Sequence, residues 1–310
     1  MLDLSIVVPV YNEEENIPLL YKRIEEVFQK TSYRYELIFV DDGSKDQTLR
    51  ILREIKAQQK SAYSSIKIIQ LARNFGQHAA LAAGFDHAAG NIVVTLDADL
   101  QMDPGHILDL IAKLKEGYDF VGGVRRHRKD SFLTRRLPSH VMNLLIGMVV
   151  GKRLKDYGCP LNAMKLEIAK EMQQYGEMRK FFKPLAIKLA QGVAEVDIPH
   201  NPRLAGHSKY RFINLVDMLF DFIVNFSKQL FQRITIVGLV LVGLNTMVAG
   251  VYVGLRILDF IQVMERLQWV VFVGSIFGVQ LVVLGILGEF IVRMYRKIAK
   301  GPIYEIRHIW

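Results

Sequence analysis

The sequence has few cysteines and no early glycines, and both absences restrict what the chain can be. A single cysteine, Cys159, excludes an intrachain disulfide and fits a catalytic part in the cytosol. No glycine occurs between Met1 and Asp42, so the G-x-G-x-x-G loop of NAD and FAD enzymes is absent after the first apolar run. The N-terminus also lacks the basic region and long apolar stretch of a secretory signal peptide.

The net charge of +9 is compatible with three kinds of partner: nucleic acid, an anionic membrane surface or phosphate-bearing substrates. No nucleic-acid motif is visible, and the basic residues cluster beside apolar segments and within Arg125–His140. This distribution favours a membrane and phosphates over nucleic acid. A generally basic, solvated surface is the alternative.

Short apolar runs alternate with amphipathic segments over the first 124 residues and predict a doubly wound α/β domain. The strands are predicted over residues 4–10, 35–40, 66–71, 92–96 and 120–124, and the helices over residues 16–28, 48–59, 77–89 and 104–116. The strands are apolar throughout, which is typical of a mostly parallel sheet covered on both faces. Polar clusters follow the strands, at the edge where such sheets bind ligands.

Two long uncharged segments in the last third of the chain predict membrane-spanning helices. Ile234–Leu255 and Trp269–Gly288 can each cross a hydrocarbon core of about 30 Å. Their glycines permit close helix packing and are compatible with homo-oligomers. Lysines and arginines flank the pair on its outer sides, whereas the connection between the spans is balanced in charge. The positive-inside tendency therefore predicts an inner-membrane protein whose α/β domain and termini are cytoplasmic.

The predicted organisation has four parts. They are a catalytic domain over residues 1–210, a juxtamembrane amphipathic region over 211–232, a transmembrane hairpin over 233–292 and a cytoplasmic tail over 293–310. Paired aromatics in Phe212–Gln232 are typical of an interfacial helix, with an ordinary core helix as the alternative. At the end of the second span, Glu289 is predicted to pair with Arg293 one turn further on.

Asp97 and Asp99 form a D-x-D pair after the fourth predicted strand, and they are the centre of the chemical interpretation. Two carboxylates at a strand end can hold a divalent cation whose other ligands come from a diphosphate and water. Hard oxygen ligands suit Mg²⁺ or Mn²⁺. A D-x-D pair alone is a weak signal, but here it follows an apolar strand and precedes Gln101 and Pro104.

Polar residues also end the first two predicted strands. Asp41 and Asp42 can accept hydrogen bonds from a ribose or a base edge, while Ser44 or Asp46 can cap the next helix. At the end of the first strand, Tyr11 and Glu13 can stack on or bind a base.

Three motifs together resemble those of family 2 glycosyltransferases with the GT-A fold. They are V-P-V-Y-N-E-E-E-N at residues 8–16, V-D-D-G-S-x-D-x-T at 40–48 and L-D-A-D-L-Q at 96–101. With its two spans, the whole chain resembles the polyprenyl-phosphate glycosyltransferases, which include dolichol-phosphate mannose synthases, bactoprenol glucosyltransferases and undecaprenyl-phosphate aminoarabinose transferases, the last most of all. The resemblance implies inverting transfer from a nucleotide-sugar, with UDP favoured, to a polyprenyl phosphate such as undecaprenyl phosphate.

The resemblance also implies roles for individual residues. The nucleoside would be held by Pro9, Tyr11, Glu13, Asp41 and Asp42, the donor diphosphate and metal by Asp97, Asp99 and Gln101, and the acceptor phosphate by Arg125, Arg135 and Ser139. Arg203 and Lys209 belong to a stretch that resembles a mobile loop closing on the donor phosphates. Arginine suits this task because its fork binds phosphate oxygens bidentately, although attraction to anionic headgroups is the alternative for the basic stretch.

Two further segments, Arg73–His78 and Asp156–Cys159, resemble the aminoarabinose branch more than the glucose branch. The glucose branch usually carries lysine-glutamate in place of the Gln77-His78 pair. Departures from the aminoarabinose branch occur at Pro160, Asn162 and Met164. His78 either contacts substrate or caps a helix, and Cys159 is predicted to be a packing residue rather than a nucleophile.

The predicted chemistry needs no strong protein base, because a phosphomonoester with a second pKa of about 6 is already largely anionic at neutral pH. Three other classes of protein are alternatives to a transferase. A processive polysaccharide synthase would carry Q-x-x-R-W and more spans, and that motif is absent. A non-catalytic scaffold would not need the intact D-x-D pair, and a nucleotide-sugar transporter would need more than two spans per chain.

Overall fold

A computed structural model of the chain describes residues 2–59, 63–126, 146–147, 150–152, 154–199, 230–257, 265–298 and 303–310. Two compact units are present: Met1–Leu219 with Gly301–Trp310, and Phe220–Lys300. Most of the predicted juxtamembrane region lies outside the described residues. The same holds for four predicted site residues, Arg135, Ser139, Arg203 and Lys209.

The first unit contains a sheet of eight strands. They are β1 (Leu4–Val10), β2 (Tyr35–Asp41), β3 (Ser64–Leu71), β4 (Ile92–Thr95), β5 (Phe120–Arg126), β6 (Asn162–Lys165), β7 (Val193–Pro199) and β8 (Ile306–Ile309). Among the described residues, the α-helices of this unit are α1 (Ile17–Phe28), α2 (Thr48–Gln58), α3 (Gln77–His87), α4 (Ile107–Lys115), α5 (Leu166–Glu171) and α6 (Phe182–Leu189). Two 3₁₀ segments, Pro104–His106 and Met172–Phe181, precede α4 and α6.

The strand order is β7-β5-β6-β4-β1-β2-β3-β8. Parallel pairs join β1 to β2, β1 to β4, β2 to β3 and β5 to β7, whereas β6 and β8 run antiparallel to their neighbours. The predicted mostly parallel α/β class is therefore confirmed. Because β6 is antiparallel to both β4 and β5, these two strands point the same way, and their carboxyl ends share the edge where β1 and β2 end.

The core forms because apolar residues recur at the spacing that each element requires. All seven residues of both β1 and β2 are buried, as the continuous apolar runs predict for a sheet covered on both faces. On α1, Ile17, Leu20 and Ile24 are fully buried, and each such side chain contributes about 1.5–3 kcal/mol. Helix α3 lies very close to the sheet, since a Cβ on its Gly84 would overlap the Val7 side chain of β1.

The last residues of the chain join this sheet. In β8, Ile309 and His308 pair antiparallel with Ile69 and Gln70 of β3. Trp310 packs against the main core, and the Arg53 guanidinium lies 5.0 Å from the centre of its ring. The predicted tail over residues 293–310 thus contains a strand of the α/β unit that the sequence interpretation did not include.

The second unit contains α7 (Leu230–Ile257) and α8 (Glu265–Ile298). Phe231–Leu255 and Gln268–Met294 are long and apolar enough to cross a membrane, with mean hydropathies of 2.2 and 2.5. Glycines allow the two helices to touch: a Cβ at Gly238 would lie 2.8 Å from Val282. The predicted pairing of Glu289 with Arg293 is confirmed at 2.8 Å.

Candidate active site

The D-x-D pair follows the carboxyl end of β4, at the centre of the sheet. Ala98 is buried, whereas Asp97 and Asp99 on either side of it are partly exposed. The turn continues through Leu100, which has a left-handed φ of 56°, a conformation that costs a non-glycine residue about 1–2 kcal/mol. Asp99 Oδ1 then accepts a hydrogen bond of 3.2 Å from the Gln101 amide, so the loop is held in a defined shape.

The start of α3 is bonded to two of the predicted site carboxylates. Gln77 Nε2 donates to Asp97 Oδ1 at 2.6 Å. Asp42 accepts hydrogen bonds from the backbone amides of Phe75 and Gly76, at 2.7 and 2.8 Å. The start of α3 therefore links Asp42, which is predicted to hold the nucleoside, to Asp97, which is predicted to serve the donor diphosphate.

The two aspartates that end β2 are buried. Burial raises the pKa of Asp42 despite its two amide bonds, and it also raises the pKa of Asp41. Asp41 Oδ1 accepts from the Ser44 amide at 3.0 Å, but its buried Oδ2 has no partner within the described residues. A buried acceptor without a donor is costly, so this oxygen is suited to a water or ligand hydroxyl.

The loops after β1 and β2 are bonded to each other. Asn12, with a left-handed φ of 55°, donates its backbone amide to Ser44 Oγ at 3.0 Å. The amide of Glu13 donates to Thr48 Oγ1 at 2.8 Å. Tyr11 and Glu13 are partly exposed beside this contact, whereas Pro9 is buried within β1. The N-cap of α2 is Gln47 and not Ser44 or Asp46, although Asp46 accepts a hydrogen bond from the first amide of the helix, at Thr48.

Arg125 near the end of β5 forms a bidentate ion pair that the sequence interpretation did not foresee. Its Nε and Nη2 donate to Asp156 Oδ2 and Oδ1 at 2.7 and 2.8 Å. The Arg125 and Asp156 side chains are only 16% and 7% exposed. Behind them, Lys183 Nζ donates to the Asp156 carbonyl at 2.6 Å, and burial lowers the pKa of this lysine. No spacing rule connects residues so far apart in sequence.

Cys159 is buried, whereas His78 is half-buried with its Nδ1 inside the protein. Gly76 is the N-cap of α3 and His78 provides no capping bond. Its Nδ1 is buried without a partner in the described part of the chain, and burial lowers the pKa of the ring. Cys159 is 2% exposed, and burial raises the pKa of its thiol. A buried neutral thiol is a poor nucleophile, in agreement with the predicted packing role.

Within the described residues, no three His, Cys, Asp or Glu side chains are grouped so as to hold a metal by themselves. Asp97, Asp99 and Gln101 nevertheless offer oxygen donors only. Such a set fits Mg²⁺ or Mn²⁺ when a substrate diphosphate completes the coordination.

Comparison with known proteins decides the family. The sequence model described as Glycosyl transferase family 2 matches residues 5–172. The chain belongs to this family. A relative from Shewanella sediminis, an undecaprenyl-phosphate 4-deoxy-4-formamido-L-arabinose transferase, is 38% identical to the chain. The match covers 98% of this chain and 92% of the relative's length. A relative of the same name from Photorhabdus laumondii is 36% identical, over 98% and 93%.

A solved structure supports the fold of this family 2 member. Glucosyl-3-phosphoglycerate synthase from Mycobacterium tuberculosis, in complex with uridine diphosphate, matches with a TM-score of 0.50 and 20% identity. The match covers 72% of this chain and 78% of the synthase. The predicted resemblance to family 2 glycosyltransferases of the GT-A type is confirmed, and with it the assignment of the chain as a glycosyltransferase.

Proposed function

We propose that this glycosyltransferase moves 4-deoxy-4-formamido-L-arabinose from its UDP donor to undecaprenyl phosphate at the cytoplasmic face of a bacterial inner membrane. The observation that carries the proposal is the common position of the D-x-D pair and Arg125 at one edge of the sheet. Relatives that share nearly the whole length of the chain bear the name of this activity. Two apolar helices in the same chain fit an acceptor that resides in a membrane.

The donor would bind across the ends of β1, β2 and β4. Tyr11 and Glu13 are exposed enough to meet a nucleoside, and the buried Asp41 oxygen offers it an acceptor. Asp97, Asp99 and Gln101 would hold the metal at the diphosphate. When bound, the metal would stabilise the charge on the leaving nucleoside diphosphate.

The acceptor phosphate would lie at the end of β5. Arg125 is fixed by Asp156 through Nε and Nη2, which leaves the Nη1 side of its fork for a phosphate oxygen. A phosphate held there would attack the anomeric carbon directly, and one in-line displacement would invert the anomeric centre. Arg135, Ser139, Arg203 and Lys209 remain proposed partners of the phosphates on the strength of the resemblance.

The C-terminal strand supports the proposed membrane topology. The chain leaves the α/β unit after β7 and returns to it at β8. If α7 and α8 each cross the membrane once, the sheet can form only when both ends of the pair lie on the same side. The lysines and arginines on the outer flanks favour the cytoplasm for that side.

A donor panel tests the proposal. The full-length protein in detergent, with Mn²⁺ or Mg²⁺ and undecaprenyl phosphate, would be given UDP- and GDP-linked sugars, including UDP-4-deoxy-4-formamido-L-arabinose. Lipid-linked sugar from that donor alone supports the whole proposal. Product from another donor keeps the reaction and replaces the sugar, while metal-dependent UDP binding without any product contradicts transfer to this lipid.

A further inference from the structure

A turn between the acceptor and donor sides of the site contacts both. Residues 156–162 begin at Asp156, which holds Arg125, and end at Asn162, the first residue of β6. In the sheet, Asn162 lies opposite Thr95 of β4 and opposite Gly122 of β5. Strand β6 therefore lies between β4, which leads to Asp97, and β5, which leads to Arg125. At two strand spacings, β4 and β5 are about 10 Å apart.

Thr95 forms hydrogen bonds with the end of this turn that lies beside β4. It is 1% exposed and stands two residues before Asp97. Its Oγ1 donates to the Pro160 carbonyl at 2.6 Å and accepts from Asn162 Nδ2 at 3.2 Å. The same Asn162 amide donates to the Cys159 carbonyl at 3.0 Å, so one side chain bonds both the strand and the turn.

Stability alone does not explain the buried polar pair formed by Thr95 and Asn162. Asn162 is fully buried, yet its Oδ1 has no hydrogen-bond partner among the residues that the structure describes. An unsatisfied buried acceptor costs about 1–3 kcal/mol, and an apolar pair of the same shape can be equally stable. Directed hydrogen bonds, in contrast, fix one geometry of the backbone that an apolar pair would leave free to shift.

We propose that Thr95 and Asn162 are positioning residues that hold Asp97 and Arg125 at a fixed separation, so that donor and acceptor phosphate meet in line. The inference rests on the proposed function, since it requires that these two residues serve the donor and the acceptor.

The test compares Thr95→Val, which keeps the shape and removes the hydroxyl, with Thr95→Ser, which keeps the hydroxyl. Misplacement by about 1 Å can cost up to about 100-fold in rate. We expect kcat for lipid transfer to fall about 10- to 100-fold in Thr95→Val, while the donor KM and the Kd for UDP stay close to wild type. The melting temperature should also fall, because the buried Pro160 carbonyl loses its hydrogen-bond donor. Thr95→Ser should recover most of the rate, and Asn162→Leu should behave like Thr95→Val.

Two results would overturn the inference: a kcat within twofold of wild type in Thr95→Val, or an equal loss in Thr95→Ser. A lower melting temperature with unchanged kcat per folded molecule would also assign the pair a purely structural role. Failure of the proposed function is distinct, because the wild-type protein itself would then yield no lipid-linked sugar.

Discussion

Nε2 of Gln77 lies 2.6 Å from Oδ1 of Asp97, so the first residue of α3 donates a hydrogen bond to the first carboxylate of the D-x-D pair. Glutamine orients this carboxylate without neutralising it. A lysine at the same position, as in the glucose branch that the sequence resembles less, would pair with Asp97 and reduce its charge. We therefore expect residue 77 to influence how the site binds its donor.

Replacing Gln77 with glutamate should impair the donor side of the reaction. A second carboxylate beside Asp97 repels it and withdraws the hydrogen-bond donor. We expect kcat/KM for the nucleotide-sugar to fall at least about tenfold in Gln77→Glu. Gln77→Met removes the hydrogen bond without adding charge and should lose less. Equal activities of Gln77→Glu and the wild type, measured with the donor varied, would show that the contact is unimportant.

Arg125→Lys should affect the acceptor and the fold together. Lysine cannot reproduce the bidentate pair with Asp156. Complete loss of one partner of a buried ion pair costs about 3–5 kcal/mol, and the weaker pairing by lysine should cost part of that. We expect a lower melting temperature and a KM for undecaprenyl phosphate raised about tenfold or more, with the donor KM unchanged.

The control for that experiment is the less buried pair of Lys165 and Asp119, whose side chains are 45% and 19% exposed and whose charged atoms lie 2.6 Å apart. Surface pairs contribute about 0–1 kcal/mol, so Lys165→Met should leave both stability and acceptor KM near wild type. An Arg125→Lys protein that melts and reacts like Lys165→Met would exclude the proposed role of Arg125.

His78 should make the fold sensitive to acid. Because burial lowers its pKa, the folded protein binds fewer protons than the unfolded chain as pH falls below about 6.5. The stability associated with neutral His78 is thus complete above that pH and is lost on acidification, by at most about 1.4 kcal/mol per pH unit. His78→Leu should therefore lose less stability between pH 7.5 and pH 5.5 than the wild type.

Thermal unfolding of both proteins at the two pH values measures this difference. His106→Gln, which changes a partly exposed histidine at the start of α4, controls for the removal of a histidine as such. An identical acid-induced decrease in wild type and His78→Leu would refute the assignment.

Trp310→Ala should loosen the C-terminal strand. The indole packs on the core beneath Arg53, and truncation of a large core aromatic costs about 3–5 kcal/mol, less where the ring is partly exposed. We expect a lower melting temperature with unchanged kcat per folded molecule, and a smaller decrease for Trp310→Phe. A melting temperature equal to wild type would mean that β8 contributes little to the sheet.

The strands with a clear local pattern of apolar residues were predicted from the sequence. The apolar run at Leu4–Val10 coincides with β1, and the other four predicted strands differ from the observed ones by at most two residues at either end. Strand β6 was missed because four residues give no periodicity. In β7, Glu195 and Asp197 interrupt the apolar pattern, and β8 is again only four residues long.

The candidate site could be predicted as a set of residues but not as a network. Asp97 and Asp99 were identified from the D-x-D motif and Arg125 from the family resemblance, and the structure brings them to one edge of the sheet. Their partners Gln77 and Asp156 come from other elements, so only the folded sheet shows that they meet. Long-range pairing of this kind leaves no spacing in a single sequence.

The most direct measurement is mass-spectrometric detection of lipid-linked sugar from UDP-4-deoxy-4-formamido-L-arabinose and undecaprenyl phosphate, for the wild type and Asp99→Ala side by side in the same detergent. The account predicts product from the wild type and none from Asp99→Ala, with both proteins folded and inserted in membranes to the same extent. Near-normal product from Asp99→Ala would contradict the role of the D-x-D pair.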